Sequence, residues 1–290
     1  MRKPLHIIEL LRTFLFMIKK ITILTLLLIF TGLISKVVAQ DQLSITNHLQ
    51  LWLKADAGVN IISNKVDRWE DQSKKGNHAV QTNPASQPIL VSNAMNQLPG
   101  IQFNGTSNFL LVPDATGMDG VSTMSVLMAI KMQPTKEPRA FLAKWGSSLP
   151  NSWVFQTVDN QPGELRVFVA SLANDGGSTY CDTLDAAMGI DPPQEFNVVT
   201  FIFNGSQLSN DDRVQLFSNG WSTEVRTTGT IKKNLIETTA PLSIGTFPSL
   251  GRYYNGLIFE IILYDSALIP TERQKLESYL RKKYTASAQK

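Results

Sequence analysis

Residues 257–264 form a short apolar run, Leu-Ile-Phe-Glu-Ile-Ile-Leu-Tyr, in which Glu260 is the single charged residue. A run of this length without polar alternation is typical of a strand that is buried on both faces. We therefore predict a strand in the middle of a sheet. Its predicted partner is the apolar run at residues 49–53, so that the two ends of the domain share one sheet.

A helix is predicted directly after this strand. Pro270 suits the first position of a helix, and Leu276, Tyr279 and Leu280 recur at helical spacing on one face. The pattern therefore indicates a short amphipathic helix that docks by one edge.

Short apolar or alternating segments separated by turn residues fill the middle of the chain. Together with the two terminal runs they give about eleven predicted strands, and the middle ones lie at residues 100–105, 109–112, 124–130, 153–158, 165–169, 196–203, 213–217, 222–227 and 241–245. Residues 54–87 and 171–194 are polar and are predicted to be loops. This pattern predicts an all-β fold, a two-sheet antiparallel jelly-roll sandwich with a short C-terminal helix.

The first 39 residues have the pattern of a secretory signal peptide. A basic segment at residues 17–20 precedes an apolar core at 21–33, and Val37 and Ala39 place small residues before a cleavage point. Met17 is a possible true start. The apolar core is shorter than the roughly 18–20 residues of a spanning helix, which favours cleavage over an uncleaved membrane anchor. We therefore expect one domain at residues 40–290, secreted or at the cell surface.

The charge balance changes once the leader is set aside. The whole chain has 27 Lys and Arg against 24 Asp and Glu, and residues 1–39 hold six and one of these, which leaves 21 against 23. A slightly acidic domain without a basic run argues against nucleic acid or an anionic membrane as partner. The single cysteine, Cys181, has no partner for an intramolecular disulfide.

Four blocks of sequence carry a resemblance to a known family. They are Leu-Trp-Leu-Lys-Ala-Asp at 51–56, Trp-Glu-Asp-Gln-Ser-Lys-Lys-Gly-Asn-His-Ala at 69–79, Pro-Gly-Ile-Gln-Phe-Asn-Gly at 99–105, and the terminal strand with its helix. In this order they resemble the laminin G-like jelly-roll domains of the concanavalin A-like lectin/glucanase superfamily. The resemblance implies recognition of carbohydrate or of another surface protein. The loop reads Ser-Lys-Lys-Gly-Asn where family members commonly show Ser-Gly-Asn-Gly-Asn.

Catalytic motifs are not evident. Glycosidases of this superfamily use two carboxylates, usually delivered from one strand as Glu-x-Asp-x-x-Glu, and this spacing does not occur here. Glu260 and Asp265 are five residues apart and would point to opposite faces of one strand. Glu260 is predicted to be a structural carboxylate. His48 and His78 stand without a Gly-x-Ser-x-Gly motif.

Calcium is the cofactor that the resemblance implies, because members of the superfamily often hold this ion in loops and hard oxygen ligands suit it. The loop oxygens available for it belong to Asp71, Asn77 and Asp175. Capping of turns explains each of these residues equally well.

Sugar binding needs an aromatic platform for the ring and planar polar groups for the hydroxyls. Trp52 and Trp69 lie in the family blocks and are predicted to be core. The candidate ligand-binding residues lie near turns or on neighbouring strands: Trp145, Trp153, Gln156, Arg166, Tyr180, Gln215 and Trp221. At least two of the three tryptophans in this set are also compatible with closing the ends of the sandwich.

These features favour a non-catalytic binding domain whose partner is an extracellular glycan or a surface protein. Two other functions stay open: a glycan-cleaving hydrolase or lyase of the same fold, and an adhesion module without a small ligand.

Overall fold

The structure is a computed structural model that describes residues 16–17, 43–133, 136–146, 150–159, 161–170, 180–183, 196–222 and 224–285. It separates two compact units, Met1–Ser44 and Ile45–Lys290. Within the first unit Phe16 and Met17 are helical and exposed. Among the described residues, no helix combines the length and apolar character needed to cross a membrane. The β-sandwich belongs to the second unit.

The described part of the second unit is built almost wholly from short strands. In chain order they are β1 (Leu49–Lys54), β2 (Val59–Ile62), β3 (Lys65–Trp69), β4 (Ala79–Val80), β5 (Ile89–Met95), β6 (Leu98–Asn104), β7 (Leu110–Val112), β8 (Thr123–Met132), β9 (Ala140–Lys144), β10 (Trp153–Val158), β11 (Gln161–Val169), β12 (Tyr180–Thr183), β13 (Phe196–Asn204), β14 (Val214–Ser218), β15 (Trp221–Ser222), β16 (Val225–Thr228), β17 (Leu242–Ile244), β18 (Thr246–Phe247), β19 (Arg252–Tyr253) and β20 (Asn255–Tyr264). Two 3₁₀ turns, Asp211–Arg213 and Pro248–Leu250, and one helix, α1 (Pro270–Thr285), complete the set.

The first sheet is organised around β20. Its strand order is β15-β14-β13-β8-β20-β6-β5, and β1 also pairs with β20. The pairing of β1 with β20 is antiparallel and sets Leu51 opposite Leu263 and Trp52 opposite Ile262. Strand β8 pairs along the other edge of β20. The predicted central strand and its pairing with the start of the domain are therefore confirmed.

The second sheet has the order β16-β12-β11-β10-β9-β17-β7-β4-β3-β2, and β18 pairs with β19 in a separate hairpin. The pairings are antiparallel throughout. The two sheets pack face to face: the ring of Phe201 on β13 lies 5.9 Å from the rings of both Trp153 and Phe155 on β10. This arrangement confirms the predicted two-sheet antiparallel sandwich.

Helix α1 covers the other face of the first sheet. It begins at Pro270, as predicted, and buries Leu276, Leu280 and Tyr284. The ring of Tyr284 lies 5.1 Å from that of Phe259 on β20. Tyr279 is half-buried at the edge of this contact.

The predicted loop at residues 54–87 is wrong in part, because it contains β2, β3 and β4. Ser63 and Asn64 join β2 to β3 with φ values of 50° and 65°. Two successive residues with positive φ form the tight turn that matches the twist of a hairpin. A Ser-Asn pair is a weaker sequence signal for such a turn than Asn-Gly, so the sequence did not predict the β2–β3 hairpin. Gly76 has a φ of 78°, a left-handed backbone conformation that favours glycine.

Three further predicted connections differ from the structure. Strands β6 and β7 are consecutive, but they belong to different sheets, so the Asn-Gly turn between them links the layers. The predicted strand at residues 222–227 is divided between the two sheets, since β15 pairs with β14 of the first sheet while β16 pairs with β12 of the second. The polar stretch 171–194 contains β12, whose four residues are too few to give a clear alternating pattern.

Candidate functional site

Successive side chains of β10 and β11 point alternately into the core and toward the outer face of the second sheet. Trp153, Phe155 and Val167 belong to the core between the sheets. Because successive strand residues point to opposite sides, Gln156 and Arg166 lie on the outer face. They are direct cross-strand neighbours in the register.

A row of polar side chains crosses three adjacent strands on this face. Arg166 lies opposite Gln156 on one side and opposite Asp182 of β12 on the other. One edge of the Arg166 guanidinium binds both oxygens of the Asp182 carboxylate, through Nε to Oδ1 and through Nη2 to Oδ2 at 2.5 Å. Burial alone would lower the pKa of Arg166, but the hydrogen bond and charge of Asp182 outweigh it, and the pKa is raised.

An aromatic row runs beside the polar one. Phe168 and Tyr180 are opposite each other on β11 and β12, and their rings meet edge to face at 5.6 Å. The guanidinium carbon of Arg166 lies 4.4 Å from the centre of the Tyr180 ring. Tyr180 is half-buried. A partly exposed aromatic ring therefore lies next to planar hydrogen-bonding groups.

The β18–β19 hairpin contributes a second arginine to the site. Arg252 donates from Nη1 to Oε1 of Gln156 at 2.9 Å. Its guanidinium carbon lies 5.7 Å from the centre of the Phe247 ring. Burial, followed by the charge of Arg166, lowers the pKa of Arg252. We call the set Gln156, Arg166, Tyr180, Asp182 and Arg252 the outer-face site.

The structure brings together three of the seven predicted ligand-binding residues, Gln156, Arg166 and Tyr180. Arg166 and Tyr180 are half-buried, whereas Gln156 is fully buried beside them and offers a polar group rather than a surface for stacking. Trp145 and Trp153 are 4% and 0% exposed, so neither has a ring face free for a sugar. Trp153 also donates its indole N–H to the backbone oxygen of Met118 at 2.8 Å. The hypothesis that either is a ligand platform is therefore wrong. Trp153 packs in the core between the sheets, and Trp145 packs against Phe247 with ring centres 5.6 Å apart.

Trp221 and Gln215 are exposed but lie on the other sheet. Trp221 is 70% exposed on β15, at the edge of the first sheet, and Gln215 is exposed on the neighbouring β14. They are not part of the outer-face site. Trp52 and Trp69 are buried, as predicted.

Two residues of the site, Asp182 and Arg252, were not predicted. Asp182 lies in the polar stretch that was read as a loop. Its signal is the alternation Tyr-Cys-Asp at 180–182, which places Tyr180 and Asp182 on one face of a strand. Arg252 reaches Gln156 across 96 positions of sequence, and no local pattern indicates such a contact.

The Asp71 loop does not fit a calcium ion. Oδ1 of Asp71 accepts from the backbone N–H groups of Trp52 and Ser73, each at 2.9 Å. Oδ2 accepts from the Ser73 hydroxyl at 2.6 Å and from the N–H of Asn77 at 3.0 Å. Donors thus occupy the oxygens that a cation would need, and Asp71 organises its own loop. Asp175 lies outside the described residues, among which no group of three His, Cys, Asp or Glu side chains is placed to hold a metal.

Glu260 is enclosed beneath α1 and is fully buried. Oε1 accepts from Nε1 of Trp52 at 2.6 Å and from the hydroxyl of Tyr279 at 3.0 Å. Oε2 accepts from the hydroxyl of Tyr284 at 2.9 Å and from Nζ of Lys283 at 3.1 Å. These contacts fasten β1 and α1 to β20, so the predicted structural role agrees with the geometry.

A groove of about 460 Å³ lies near the opposite edge of the second sheet, lined by residues of β2, β3 and β4 and of the segment that follows them. Several of its polar groups already bind the protein itself: Lys65 donates to the backbone oxygen of Pro84, and Gln87 donates to that of Gln81. None of the predicted ligand-binding residues lines it. The outer-face site has the stronger combination of aromatic and polar groups.

Comparison with known proteins decides the family. The family model described as the concanavalin A-like lectin/glucanases superfamily matches residues 104–272, more than half of the chain. The chain belongs to this superfamily. The matched region includes β10, β11, β12 and β19, which carry the outer-face site. No curated protein matches the chain in sequence.

Solved structures of the same fold have low sequence identity to this superfamily member. The binding domain of Paraclostridial Mosquitocidal Protein 1 superposes with a TM-score of 0.57 at 14% identity, and the match covers 82% of this chain and 53% of that one. This chain therefore spans about half the length of that binding domain.

Two further structures were solved with a sugar bound. The ligand binding domain of botulinum neurotoxin serotype D, in complex with N-acetylneuraminic acid, has a TM-score of 0.50 at 13% identity, covering 81% of this chain and 52% of that one. Domain 4 of the extracellular arabinanase AbnA from Geobacillus stearothermophilus, in complex with arabinotriose, has a TM-score of 0.50 at 16% identity, covering 79% of this chain and 98% of that one. At these identities the likeness shows the fold alone.

Proposed function

We propose that this protein is a secreted or cell-surface domain that binds a carbohydrate at the outer-face site without cleaving it. The observation that carries the proposal is the convergence of Gln156, Arg166 and Tyr180 on three adjacent strands. A half-buried aromatic ring beside planar hydrogen-bonding groups is the combination that a sugar ring and its hydroxyls require. The sugar complexes of two structures of this fold add support.

The character of the carboxylates favours binding over hydrolysis. Glycoside hydrolysis needs one carboxyl group to give a proton and a second to attack or to activate water. Both oxygens of Asp182 are bound to Arg166, and those of Glu260 are enclosed beneath α1. Neither carboxylate is presented to a substrate. The export of the protein is proposed from the leader pattern of residues 1–39.

A glycan array, followed by a reducing-end assay on the glycans that bind, tests this proposal. We expect saturable binding to at least one glycan and no release of reducing ends. Release would support the alternative, a glycan-cleaving enzyme of the same fold. An array without binding would contradict carbohydrate recognition and would favour an adhesion module with a protein partner.

A further inference from the structure

The two arginines of the outer-face site differ in how their charge is balanced. Arg166 forms a two-point ion pair with Asp182 along one edge of its guanidinium. Arg252 has five N–H donors, and its single hydrogen bond to a described residue is the one to the neutral Oε1 of Gln156. Among the described residues no carboxylate lies within ion-pairing distance of Arg252. Within the described part of the chain, this half-buried guanidinium therefore has no counter-ion.

The charged residues near Arg252 do not balance its positive charge. The charge of Arg166 acts against that of Arg252, while Asp159, in the turn between β10 and β11, favours it from longer range. A third cation, Arg226 of β16, is exposed and lies opposite Asp182 in the register. Asp182 is already committed to Arg166. Glu164 lies on the same face by strand alternation, two residues before Arg166. No described carboxylate of this face is within ion-pairing distance of Arg252.

Gln156 adds an unused donor at the same place. Its side chain is fully buried, and Nε2 has no hydrogen-bond partner. The orientation of the amide follows from its neighbour, because Arg252 can only donate and so Oε1 must face it. A buried donor left unpaired is costly, and native proteins seldom retain one without a reason.

We infer that the glycan bound at this face carries a carboxylate, as uronic and sialic acids do, and that Arg252 and Gln156 receive this group. The inference rests on the proposed carbohydrate-binding function and narrows its ligand class. One edge of the Arg252 guanidinium makes no hydrogen bond to a described residue. A planar carboxylate matches such an edge, which can donate two parallel hydrogen bonds to it. Its second oxygen has lone pairs for Nε2 of Gln156. A sugar hydroxyl would leave the charge of Arg252 unbalanced.

Matched pairs of acidic and neutral glycans test the inference. Suitable pairs are 3′-sialyllactose with lactose, and tetragalacturonate with the same tetrasaccharide after reduction of its carboxyl groups. For the pair that binds best, we expect the acidic member to bind about ten- to a hundredfold more tightly, the worth of a charge-assisted hydrogen-bonded pair. Calorimetric titration of the purified protein measures both affinities.

Three variants test which residue causes the preference for the acidic glycan. Arg252→Gln should remove the preference for the acidic member, because the acidic glycan loses a charge-assisted contact that the neutral glycan does not make. Arg226→Gln removes the same charge from the same face and should keep the preference. Gln156→Glu gives Arg252 a counter-ion within the protein. It should therefore also abolish the preference, while raising the melting temperature.

The results distinguish failure of the carboxylate assignment from failure of carbohydrate binding. Equal binding of acidic and neutral members, or a preference that survives in Arg252→Gln, would overturn the carboxylate assignment while leaving carbohydrate binding intact. A glycan that carries a sulfate group and no carboxylate is a further control. If it binds as tightly as the carboxylate glycan and also depends on Arg252, the assignment is overturned, since the site would then be a general anion site. If no glycan binds at all, both the proposed function and this inference are wrong.

Discussion

The role of a carboxylate side chain in this protein depends on its hydrogen-bond partners more than on its chemical type. Glu260 and Asp182 are both carboxylates of buried residues, yet neither is available as an acid or base. Glu260 accepts from Trp52, Tyr279, Lys283 and Tyr284. Removing one member of such a group leaves the others buried without partners, which makes the cost larger than that of one hydrogen bond.

The Glu260 cluster gives a prediction at this scale. Glu260→Gln should lower the free energy of unfolding by about 3–5 kcal/mol, because the buried pair with Lys283 is broken and an amide N–H₂ is set against donors. Denaturant unfolding measures this change. Glu70→Gln is a suitable control, since the side chain of Glu70 is 50% exposed and the change should stay within about 0.5 kcal/mol. Equal effects of the two substitutions would contradict a structural role for Glu260.

Residue roles were predictable from the sequence where strand parity decides them. Trp153 and Gln156 are three positions apart on β10, so they point to opposite faces, and only Gln156 can belong to an outer site. Proximity to a turn was the wrong criterion for Trp153. Arg252 could not be found in this way, because its contact with Gln156 depends on where the β18–β19 hairpin lies.

At the scale of elements, β20 is the strand that holds its neighbours in the first sheet together and connects them to the helix. It pairs with β1, β6 and β8, and its Phe259 packs against Tyr284 of α1 and Phe196 of β13. The strand could be predicted because its apolar run is continuous. Its neighbours could not all be predicted, since the order of strands in a sheet depends on contacts far apart in sequence.

Phe259 tests the central position of β20. Phe259→Ala should lower the free energy of unfolding by about 3–5 kcal/mol, as expected for truncating a buried aromatic side chain. Leu208→Ala is the matched control, because Leu208 is 95% exposed and its truncation should change stability by less than about 0.5 kcal/mol. An unchanged melting temperature for Phe259→Ala would mean that β20 is not at the centre of the fold.

At the scale of the whole molecule, three buried phenols and the half-buried ammonium of Lys283 connect stability to pH. Burial raises the pKa of Tyr254, Tyr264 and Tyr284 above the ordinary value of 10.0. Burial would lower the pKa of Lys283, but Glu260 and Asp56 outweigh it, and its pKa is raised above 10.5. Above these values the unfolded chain loses protons that the folded protein keeps, so stability falls as pH rises.

We therefore expect the free energy of unfolding to decrease from about pH 10 upward, by up to about 1.4 kcal/mol per pH unit for each fully buried tyrosine. Denaturant midpoints at pH 8, 10 and 11 measure the decrease. Tyr284→Phe removes one of these protons and should make the decrease less steep, although the variant is less stable at pH 8. Stability that stays constant from pH 8 to pH 11 would contradict the burial of these groups.

The central claim, sugar binding on the outer face of the second sheet, is tested most directly by calorimetric titration of the best-binding glycan with two aromatic variants. Tyr180→Ala removes the ring beside Arg166, whereas Trp221→Ala removes an exposed ring from the other sheet. We predict that Tyr180→Ala weakens binding at least about tenfold, since stacking on an aromatic ring contributes more than 1 kcal/mol, and that Trp221→Ala binds like the unchanged protein. Full affinity in folded Tyr180→Ala, with loss in Trp221→Ala, would contradict the account and would place the site on the first sheet.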